Sequence, residues 1–246
     1  MKADPFVQLR LLDLQALDSA LNRLAHRRRT LPELAEITRL AGLVAASRDD
    51  VVQAETAVSD LVREQKKFED DIDSVRARKT RDEDRMSSGA ITNSKQLEEL
   101  QHEVQTLTRR QSDLEDAELE VMERAETAQG VLDQLLSDRT AHTAARETAV
   151  VRRDDAWADI DAELTRTTAE RAEVATEIPA DLLALYDKIR AAEGGIGAAP
   201  IERGRCGGCR LDLMNNEKAD YRAAPVDEVL RHECDRILVR TPESGL

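Results

Sequence analysis

The 246-residue sequence carries a formal net charge of −14, and 35% of its residues are charged whereas only 2% are aromatic. This composition excludes an ordinary globular domain with a large aromatic core, and it is typical of long helices and coiled coils. The acidity lies in residues 1–199, because residues 200–246 carry eight Lys or Arg and nine Asp or Glu, and an acidic balance disfavours non-specific binding of the whole chain to nucleic acid.

The first predicted helical arm has a coiled-coil seam between residues 37 and 79. Residues spaced alternately three and four apart define it, and ten of the thirteen are apolar. A shorter run from Leu14 to Leu24 has the same spacing. The two runs are separated by RRRTLPEL, where we expect Thr30 to cap a helix and Pro32 to lie in its first turn. The seam positions are Ile37, Leu40, Val44, Ser47, Val51, Ala54, Val58, Leu61, Gln65, Phe68, Ile72, Val75 and Lys79.

A second seam runs from Leu97 to Leu164, and MSSGAITNSKQLEEL separates it from the first. The Ser-Ser-Gly sequence interrupts the helix, and Asn93 or Thr92 is expected to cap the next one. A short break between two seams of similar length predicts an antiparallel helical hairpin with its turn near residues 86–93. The alternative is a parallel homodimeric coiled coil, which would not need this turn.

Folding about this turn is expected to pair residues whose numbers add up to about 180 along the two arms. In that register Asp70 lies near Arg110 and Lys66 lies near Asp113. Opposite charges then meet across the arms, which supports the hairpin because coiled coils prefer such pairs on their flanks.

A candidate zinc site lies in the C-terminal segment. Cys206 and Cys209 have the spacing of the first half of a zinc ribbon, and Cys234 follows 25 residues later, where the second half is expected. The residue at C-x-x-C spacing before Cys234 is Arg231, which cannot bind a cation. His232 lies one position nearer and can ligate through a ring nitrogen. The predicted zinc ligands are therefore Cys206, Cys209, His232 and Cys234.

Three alternatives to this ligand set stay open at this point. The fourth ligand is then Glu233, Asp235, a water or a residue of a partner molecule. Otherwise the segment binds no metal, or the C-x-x-C pair is a redox pair. The redox alternative has less support, because no thioredoxin-like βαβ pattern surrounds the two cysteines.

These elements together predict a mainly α fold, in which a long antiparallel coiled-coil hairpin carries a small C-terminal zinc-ribbon β domain. Between the two, EIPADLLALYDKIRAAEGG predicts a short helix that begins at Pro179 and ends at Gly194 and Gly195. The predicted divisions are residues 1–178 for the hairpin, 179–200 for the short helix and a linker, and 201–246 for the ribbon.

A cytoplasmic location without a membrane partner is expected. No apolar run approaches the roughly 20 residues that a membrane span needs, and MKADPFVQLR lacks the apolar core of a signal peptide. Three cysteines, two of them in C-x-x-C, fit metal binding in a reducing compartment better than a disulfide framework.

The order of GAITNSKQLEEL, EIPADLLALYDKIR, CGGC and CDRILVR after a coiled coil resembles the bacterial C4-type zinc-ribbon proteins with an N-terminal coiled coil. The sequence departs from that family where Asp235 replaces a glycine and where the third cysteine is absent, so that His232 is its candidate replacement. The turn motif of the family is matched by Thr92, Asn93, Lys95 and Leu97.

The resemblance implies a nucleic-acid-binding or adaptor role, with partners in transcription, RNA or secretion. Arginines of the ribbon are candidates for contacts with the phosphates of RNA or DNA, although the nine acidic residues of the same segment are alternative partners. The candidate arginines are Arg203, Arg205, Arg210, Arg222, Arg231, Arg236 and Arg240.

The alternative function is a protein–protein adaptor that uses the coiled-coil arm and has no role with nucleic acid. Its predicted contact point is the polar turn, with Thr92, Asn93 and Lys95, unless these residues only cap a helix. Catalysis is not expected, because the sequence has no Gly-rich phosphate loop, nucleophile elbow or H-E-x-x-H motif. A zinc ion with four protein ligands also leaves no open position for water.

Overall fold

The computed structural model describes residues 1–89 and 91–245. These residues form a long helical hairpin and a small C-terminal sheet, as the sequence predicts. The helices are α1 (Pro5–Arg29), α2 (Pro32–Ser87), α3 (Ser94–Thr176), α4 (Ala180–Ala192) and α5 (Asn215–Ala223). The strands are β1 (Ala198–Glu202), β2 (Arg205–Cys206), β3 (Leu230–Arg231) and β4 (Ile237–Val239). No helix among the described residues combines the length and apolar character that crossing a bilayer requires.

The chain divides into two compact units, Met1–Leu34 with Val150–Leu246, and Ala35–Ala149. Helices α2 and α3 contribute residues to both units, whereas α1, α4, α5 and the four strands belong to the first. The predicted domain limits at residues 178 and 200 both lie within the first unit and stay predictions.

In the second unit α2 and α3 are antiparallel arms that pack along the predicted seams. Ion pairs between the arms show their register, with partner numbers that add up to 181, 188 and 191. The arms are therefore slightly offset from the predicted register. The pairs are Arg78 with Glu103, Arg124 with Glu64 at 3.6 Å, and Arg76 with Glu115 at 3.4 Å. The buried seam residues are Leu40, Val51, Ile72, Leu114, Val121 and Leu132.

The predicted pairing of Lys66 with Asp113 is replaced by pairs within one helix. The ammonium group of Lys66 lies 3.3 Å from Glu69 and 3.0 Å from Asp70. Residues three and four positions apart on a helix are neighbours, so Lys66 reaches these carboxylates without crossing to the other arm.

The turn between the arms is capped by Asn93, one of the two predicted caps. Its Oδ1 accepts a hydrogen bond from the backbone N–H of Lys95 at 2.9 Å, so α3 begins at the next residue. On the other side Gly89 follows α2 with a φ of 69°, a left-handed conformation that is common after a helix end. Ala90, within the predicted turn, lies outside the described residues.

The break between α1 and α2 lies where the sequence predicts it, but Thr30 has a different role. Its hydroxyl donates to the carbonyl of His26 at 2.9 Å, and its N–H bonds the same carbonyl at 3.1 Å. Thr30 therefore closes the C-terminus of α1 rather than capping α2, because its side chain bonds backward to a free carbonyl. Pro32 begins α2 as predicted.

Trp157, the only tryptophan of the chain, stabilises this break in the first unit. Its Nε1 donates to the carbonyl of Arg28 near the end of α1 at 3.1 Å. The guanidinium groups of Arg28 and Arg153 both lie 4.7 Å from the ring centroid, which is the geometry of cation–π contacts. Arg28 also pairs with Asp161 at 2.8 Å, so α1 and α3 are linked by charge as well as by packing.

A buried carboxylate links three helices of the first unit. The side chain of Asp18 in α1 is 0% exposed and accepts hydrogen bonds from Arg171 of α3 at 2.7 Å and from the hydroxyl of Tyr186 in α4 at 2.7 Å. Arg190 of α4 adds an ion pair at 3.0 Å. Burial is the main reason why the pKa of Tyr186 is raised, and the neighbouring Asp18 carboxylate adds to it. A buried charge is costly unless it is paired and hydrogen-bonded, so these groups hold α1, α3 and α4 together.

Gln15, one turn before Asp18, holds the start of β1. Its Oε1 accepts from the backbone N–H groups of Gly197 at 2.7 Å and Ala198 at 3.3 Å. Its Nε2 donates to the carbonyl of Gly195 at 3.0 Å. The segment that leads from α4 into the sheet is therefore hydrogen-bonded to α1.

The sheet has the strand order β2-β1-β4-β3, with β1 and β4 parallel and the outer pairs antiparallel. Its central strands are buried on both faces, because side chains alternate between faces along a strand. One face packs with α1 and α4 in a core of Leu11, Leu14, Ile178, Leu182, Tyr186, Ile189, Ala198, Ile237 and Val239. The other face forms a second core of Ala199, Ile201, Cys206, Leu213, Leu230 and Leu238.

Replacing Asp18 by Ala should lower the free energy of unfolding by about 3–5 kcal/mol, because it leaves buried arginine charge without its partner. Urea unfolding followed by circular dichroism measures this loss. The matched control is Asp187→Ala, which removes a 47% exposed carboxylate from the same Arg171 and should cost less than about 1 kcal/mol. Equal losses in the two variants would contradict the role given to Asp18.

Candidate metal centre

The first half of the site is the turn that follows β2. Cys206 ends β2 and is fully buried in the second core. The N–H of Gly207 donates to the carbonyl of Pro200 at 2.9 Å, and the N–H of Arg210 donates to the carbonyl of Cys206 at 2.8 Å. This turn brings Cys209 back beside Cys206, as C-x-x-C spacing predicts.

The second half of the site is the tight turn between β3 and β4. The N–H of His232 donates to the carbonyl of Arg236 at 3.1 Å, and the N–H of Asp235 donates to the carbonyl of His232 at 2.8 Å. Asp235 has a φ of 61°, a left-handed conformation that favours glycine. This explains physically why glycine suits the position where the sequence has Asp235.

The two turns bring all four predicted ligands together. The three sulfur atoms and a ring nitrogen of His232 all lie within 4.8 Å of one another. The sulfur of Cys206 is 3.9 Å from that of Cys234, and Nδ1 of His232 is 3.6 Å from the sulfur of Cys209 and 3.1 Å from that of Cys234. His232 is 6% exposed. This cluster can hold a metal ion.

The remaining candidates for the fourth ligand point elsewhere or are solvent-exposed. The carboxylate of Asp235 pairs with Arg231 at 2.7 Å, and Glu233 is exposed. Both residues lie outside the cluster, whereas His232 lies within it. The arrangement therefore favours the Cys₃His set over the alternatives left open by the sequence.

The thiols of the cluster differ in acidity. Burial raises the pKa of Cys206 to about 11, against the effect of the backbone N–H groups of Cys209 and Gly208. Burial also raises the pKa of Cys234, but hydrogen bonds from the backbone and side chain of Arg236 and from His232 outweigh it and lower the pKa to about 6. A cation in the cluster would favour the thiolate form of every cysteine, because the thiolate is the metal-binding form.

Two of the arginines predicted to contact nucleic acid form ion pairs at the protein surface. Arg205 pairs with Asp212 at 2.7 Å and Arg231 with Asp235 at 2.7 Å, and all four side chains are largely exposed. Such exposed pairs contribute little free energy. They leave phosphate contacts at Arg205 and Arg231 as predictions.

Two further arginines of that set bind within the protein. Arg236 donates to the carbonyl of Glu193 at 2.8 Å, and Arg240 donates to the carbonyls of Ala224 at 2.9 Å and Pro225 at 2.6 Å. These bonds hold the ends of α4 and α5, so Arg236 and Arg240 serve the fold. The described residues provide no ion pair for Arg203, Arg210 and Arg222.

Helix α5 is an element that the sequence analysis missed. It has nine residues and none is buried, so it lacks the apolar stripe from which helices are predicted. The available signal was Glu217, whose carboxylate accepts from the N–H of Met214 at 2.8 Å at the helix start. Tyr221 of α5 donates to the carbonyl of Arg231 at 2.9 Å, which attaches the helix beside the metal cluster.

At the hairpin turn, Thr92 and Lys95 are exposed and Asn93 caps α3. A partner contact at these three residues stays a prediction.

Comparisons with known proteins identify the fold. The model of the CT398-like coiled coil hairpin domain matches residues 14–194. An uncharacterized protein of Mycobacterium tuberculosis is 39% identical over 244 residues, which is 98% of each chain. An uncharacterized protein of Mycobacterium leprae is 32% identical over 236 residues, covering 93% of this chain and 94% of that protein.

Solved structures agree with this match. A protein from Mycobacterium smegmatis is 36% identical with a TM-score of 0.82, covering 98% of this chain and 100% of its own. CT398 from Chlamydia trachomatis is 18% identical with a TM-score of 0.64 over 96% of this chain and 98% of its own, a likeness that shows the fold alone. The coiled-coil hairpin implied by the sequence resemblance is thereby confirmed.

The backbone conformation of Asp235 generates a stability prediction. Asp235→Gly should be more stable than Asp235→Ala by about 1 kcal/mol, because both lose the carboxylate but only Ala keeps a Cβ in the left-handed region. Urea unfolding of the two variants in the same buffer measures the difference. An Ala variant at least as stable as the Gly variant would show that this turn carries no such strain.

Proposed function

This chain belongs to the CT398-like coiled coil hairpin family, and on that premise we propose that it is a non-enzymatic adaptor. In this proposal the arms of the second unit bind a protein partner, and a zinc ion in the Cys₃His cluster stabilises the C-terminal sheet. The observation that carries the adaptor role is an acidic groove between the two arms.

The groove has a volume of about 600 Å³. It occurs where α3 has the small residues Thr127 and Ala128, so that the arms leave space beside Leu61 of α2. Its floor is therefore apolar, and its rim is formed by charged residues of α3. The lining residues are Leu61, Glu120, Glu123, Arg124, Thr127 and Ala128.

Exposed apolar side chains extend this groove along α3. Val131, one turn beyond Ala128 on the same side of the helix, is 53% exposed. Leu119, beside the rim residue Glu120, is 57% exposed. Apolar groups next to a groove on a charged surface are typical of a site that binds another protein.

The charge of the groove indicates the kind of partner. The second unit has 16 Lys and Arg against 26 Asp and Glu, a net charge of −10, and residues 111–126 contain seven acidic residues and a single basic one. That basic residue, Arg124, pairs with Glu64 of the other arm at 3.6 Å. A complementary partner is a basic amphipathic helix whose apolar face lies in the groove and whose Lys and Arg meet the acidic rim.

The distances within the cluster support zinc as the metal. Tetrahedral zinc with bonds of about 2.3 Å to sulfur and about 2.0 Å to nitrogen places two sulfurs about 3.8 Å apart and sulfur and nitrogen about 3.5 Å apart. The Cys206–Cys234 and Cys209–His232 distances are 3.9 Å and 3.6 Å. Four protein ligands close the coordination sphere, which supports a structural rather than a catalytic ion.

Nucleic-acid binding by the ribbon has less support than the adaptor role. Arg236 and Arg240 hold backbone carbonyls of α4 and the end of α5, and Arg205 and Arg231 already have carboxylate partners. Contact with RNA or DNA would then depend on Arg203, Arg210 and Arg222 or on the opening of surface pairs.

The wild-type protein should hold about one zinc ion per chain, and His232→Ala should bind it at least about tenfold more weakly because one of four ligands is lost. Elemental analysis and competition with a chromophoric chelator measure content and affinity. His232→Cys is the matched control, since it restores a fourth ligand and should retain zinc. Unchanged zinc binding in His232→Ala would remove His232 from the site.

Reversing the rim charge should abolish binding of a basic amphipathic helix. The probe is a synthetic Leu- and Lys-rich helical peptide, titrated against the full chain by fluorescence anisotropy, and Glu120→Lys with Glu123→Lys should weaken it at least about tenfold through charge repulsion. Glu98→Lys with Glu99→Lys, an equal charge change elsewhere on α3, is the control and should have a small effect.

Equal losses in the two double variants would contradict a role for the groove. The same titration with a single-stranded RNA tests the alternative function. Tight RNA binding that weakens steeply with salt and ignores the rim substitutions would favour nucleic-acid binding instead.

A further inference from the structure

We propose that Arg236 is a positioning residue for the metal cluster, which balances the charge of the loaded site and connects it to the C-terminal end of α4. This inference rests on the metal-binding part of the proposed function. It concerns a residue that the sequence analysis assigned to nucleic acid.

The side chain of Arg236 passes directly over the first cysteine turn. A Cβ on Gly208 would lie 2.6 Å from Cδ of Arg236 and 3.3 Å from its Nε. Only glycine leaves room for this approach, so the second glycine of CGGC is explained by the arginine that packs on it. The arginine side chain is 14% exposed.

The far end of the guanidinium group is held by α4. Its Nη2 donates to the carbonyl of Glu193, the C-terminal cap of α4, at 2.8 Å and lies 3.7 Å from the carboxylate of the same residue. A cation at a helix C-terminus is favourable, because the last carbonyls are otherwise unpaired. One side chain thus touches both the cysteine turn and the helix.

The middle of the guanidinium group has an unused donor. Nε of Arg236 is buried and has no hydrogen-bond partner among the described residues. The backbone and side chain of Arg236 both act on the sulfur of Cys234, and the charge of Arg236 is also coupled to Cys206. A buried donor without a partner is unfavourable, and thiolates of a loaded cluster supply the acceptor.

The charge of the loaded cluster gives this contact its purpose. Three thiolates and a neutral imidazole around a divalent ion carry a net charge of −1, and Cys206 and His232 are buried. A buried negative charge needs a nearby positive group. Arg236 is the arginine that the fold places over this cluster, whereas Arg231 points to the exposed carboxylate of Asp235.

Loading the cluster should therefore stabilise the end of α4. The attraction between the cluster and Arg236 fixes the side chain that bonds Glu193. Helix α4 in turn packs with Ile237 and Val239, the strand that follows Arg236, in one core. Metal binding and the order of the α4 C-terminus are thus coupled through one arginine.

The test compares Arg236→Met, Arg236→Lys and the control Arg231→Met in the full-length protein. Competition with a chromophoric chelator should show zinc affinity reduced about 10-fold to 100-fold in Arg236→Met, the range for loss of an outer-shell partner. Arg236→Lys keeps the charge and should lose less, and Arg231→Met should stay within a few-fold of wild type.

Amide hydrogen exchange provides the second readout. In the wild type, zinc should slow exchange at Glu193 and Gly195 relative to the chelator-treated protein, and this difference should be absent in Arg236→Met. A wild type that binds no zinc overturns both the proposed zinc site and this inference. A wild type that binds zinc, with equal affinity in Arg236→Met or an equal loss in Arg231→Met, overturns this inference alone.

Discussion

The buried carboxylate of Asp18 is the constraint on which the first unit depends. Tyr186, Arg171 and Arg190 converge on it from α3 and α4, and a charge this deep is tolerated only when all of its partners are present. The three helices must therefore meet at one level. Gln15, one turn away, then hydrogen-bonds the chain that enters β1, so the sheet begins at a place set by α1.

The metal cluster inherits its geometry from this arrangement. The C-terminal sheet is too small to bury a core on its own, and small domains of that kind need a metal or other support. Here one face of the sheet packs with α1 and α4, and the other buries Cys206 with Leu213 and Leu230. The two ligand-bearing turns are consequently anchored on strands that are buried on both faces, and the proposed zinc ion would join them across the sheet.

The second unit follows a different physical logic. Its arms are held by a narrow apolar seam, and its many charges lie at the surface, where ion pairs contribute little free energy. The acidic surface is therefore free to vary without loss of the hairpin. The proposed adaptor role places recognition on that surface, at a groove where Ala128 replaces a larger seam residue, while the proposed zinc site serves the stability of the other unit.

The sequence by itself determined the helical arms, the turn capped by Asn93, the helix from Ala180 and the candidate ligand set with His232, because each depends on local spacing. Tertiary structure alone decided the partners of the charges. Lys66 chose its own helix, and Arg236 and Arg240 bonded carbonyls of the fold, because a long charged side chain can reach several groups and only packing selects one. The burial of Asp18 was equally invisible, since an acidic residue on a helix is normally solvated and only the convergence of distant arginines makes its burial stable.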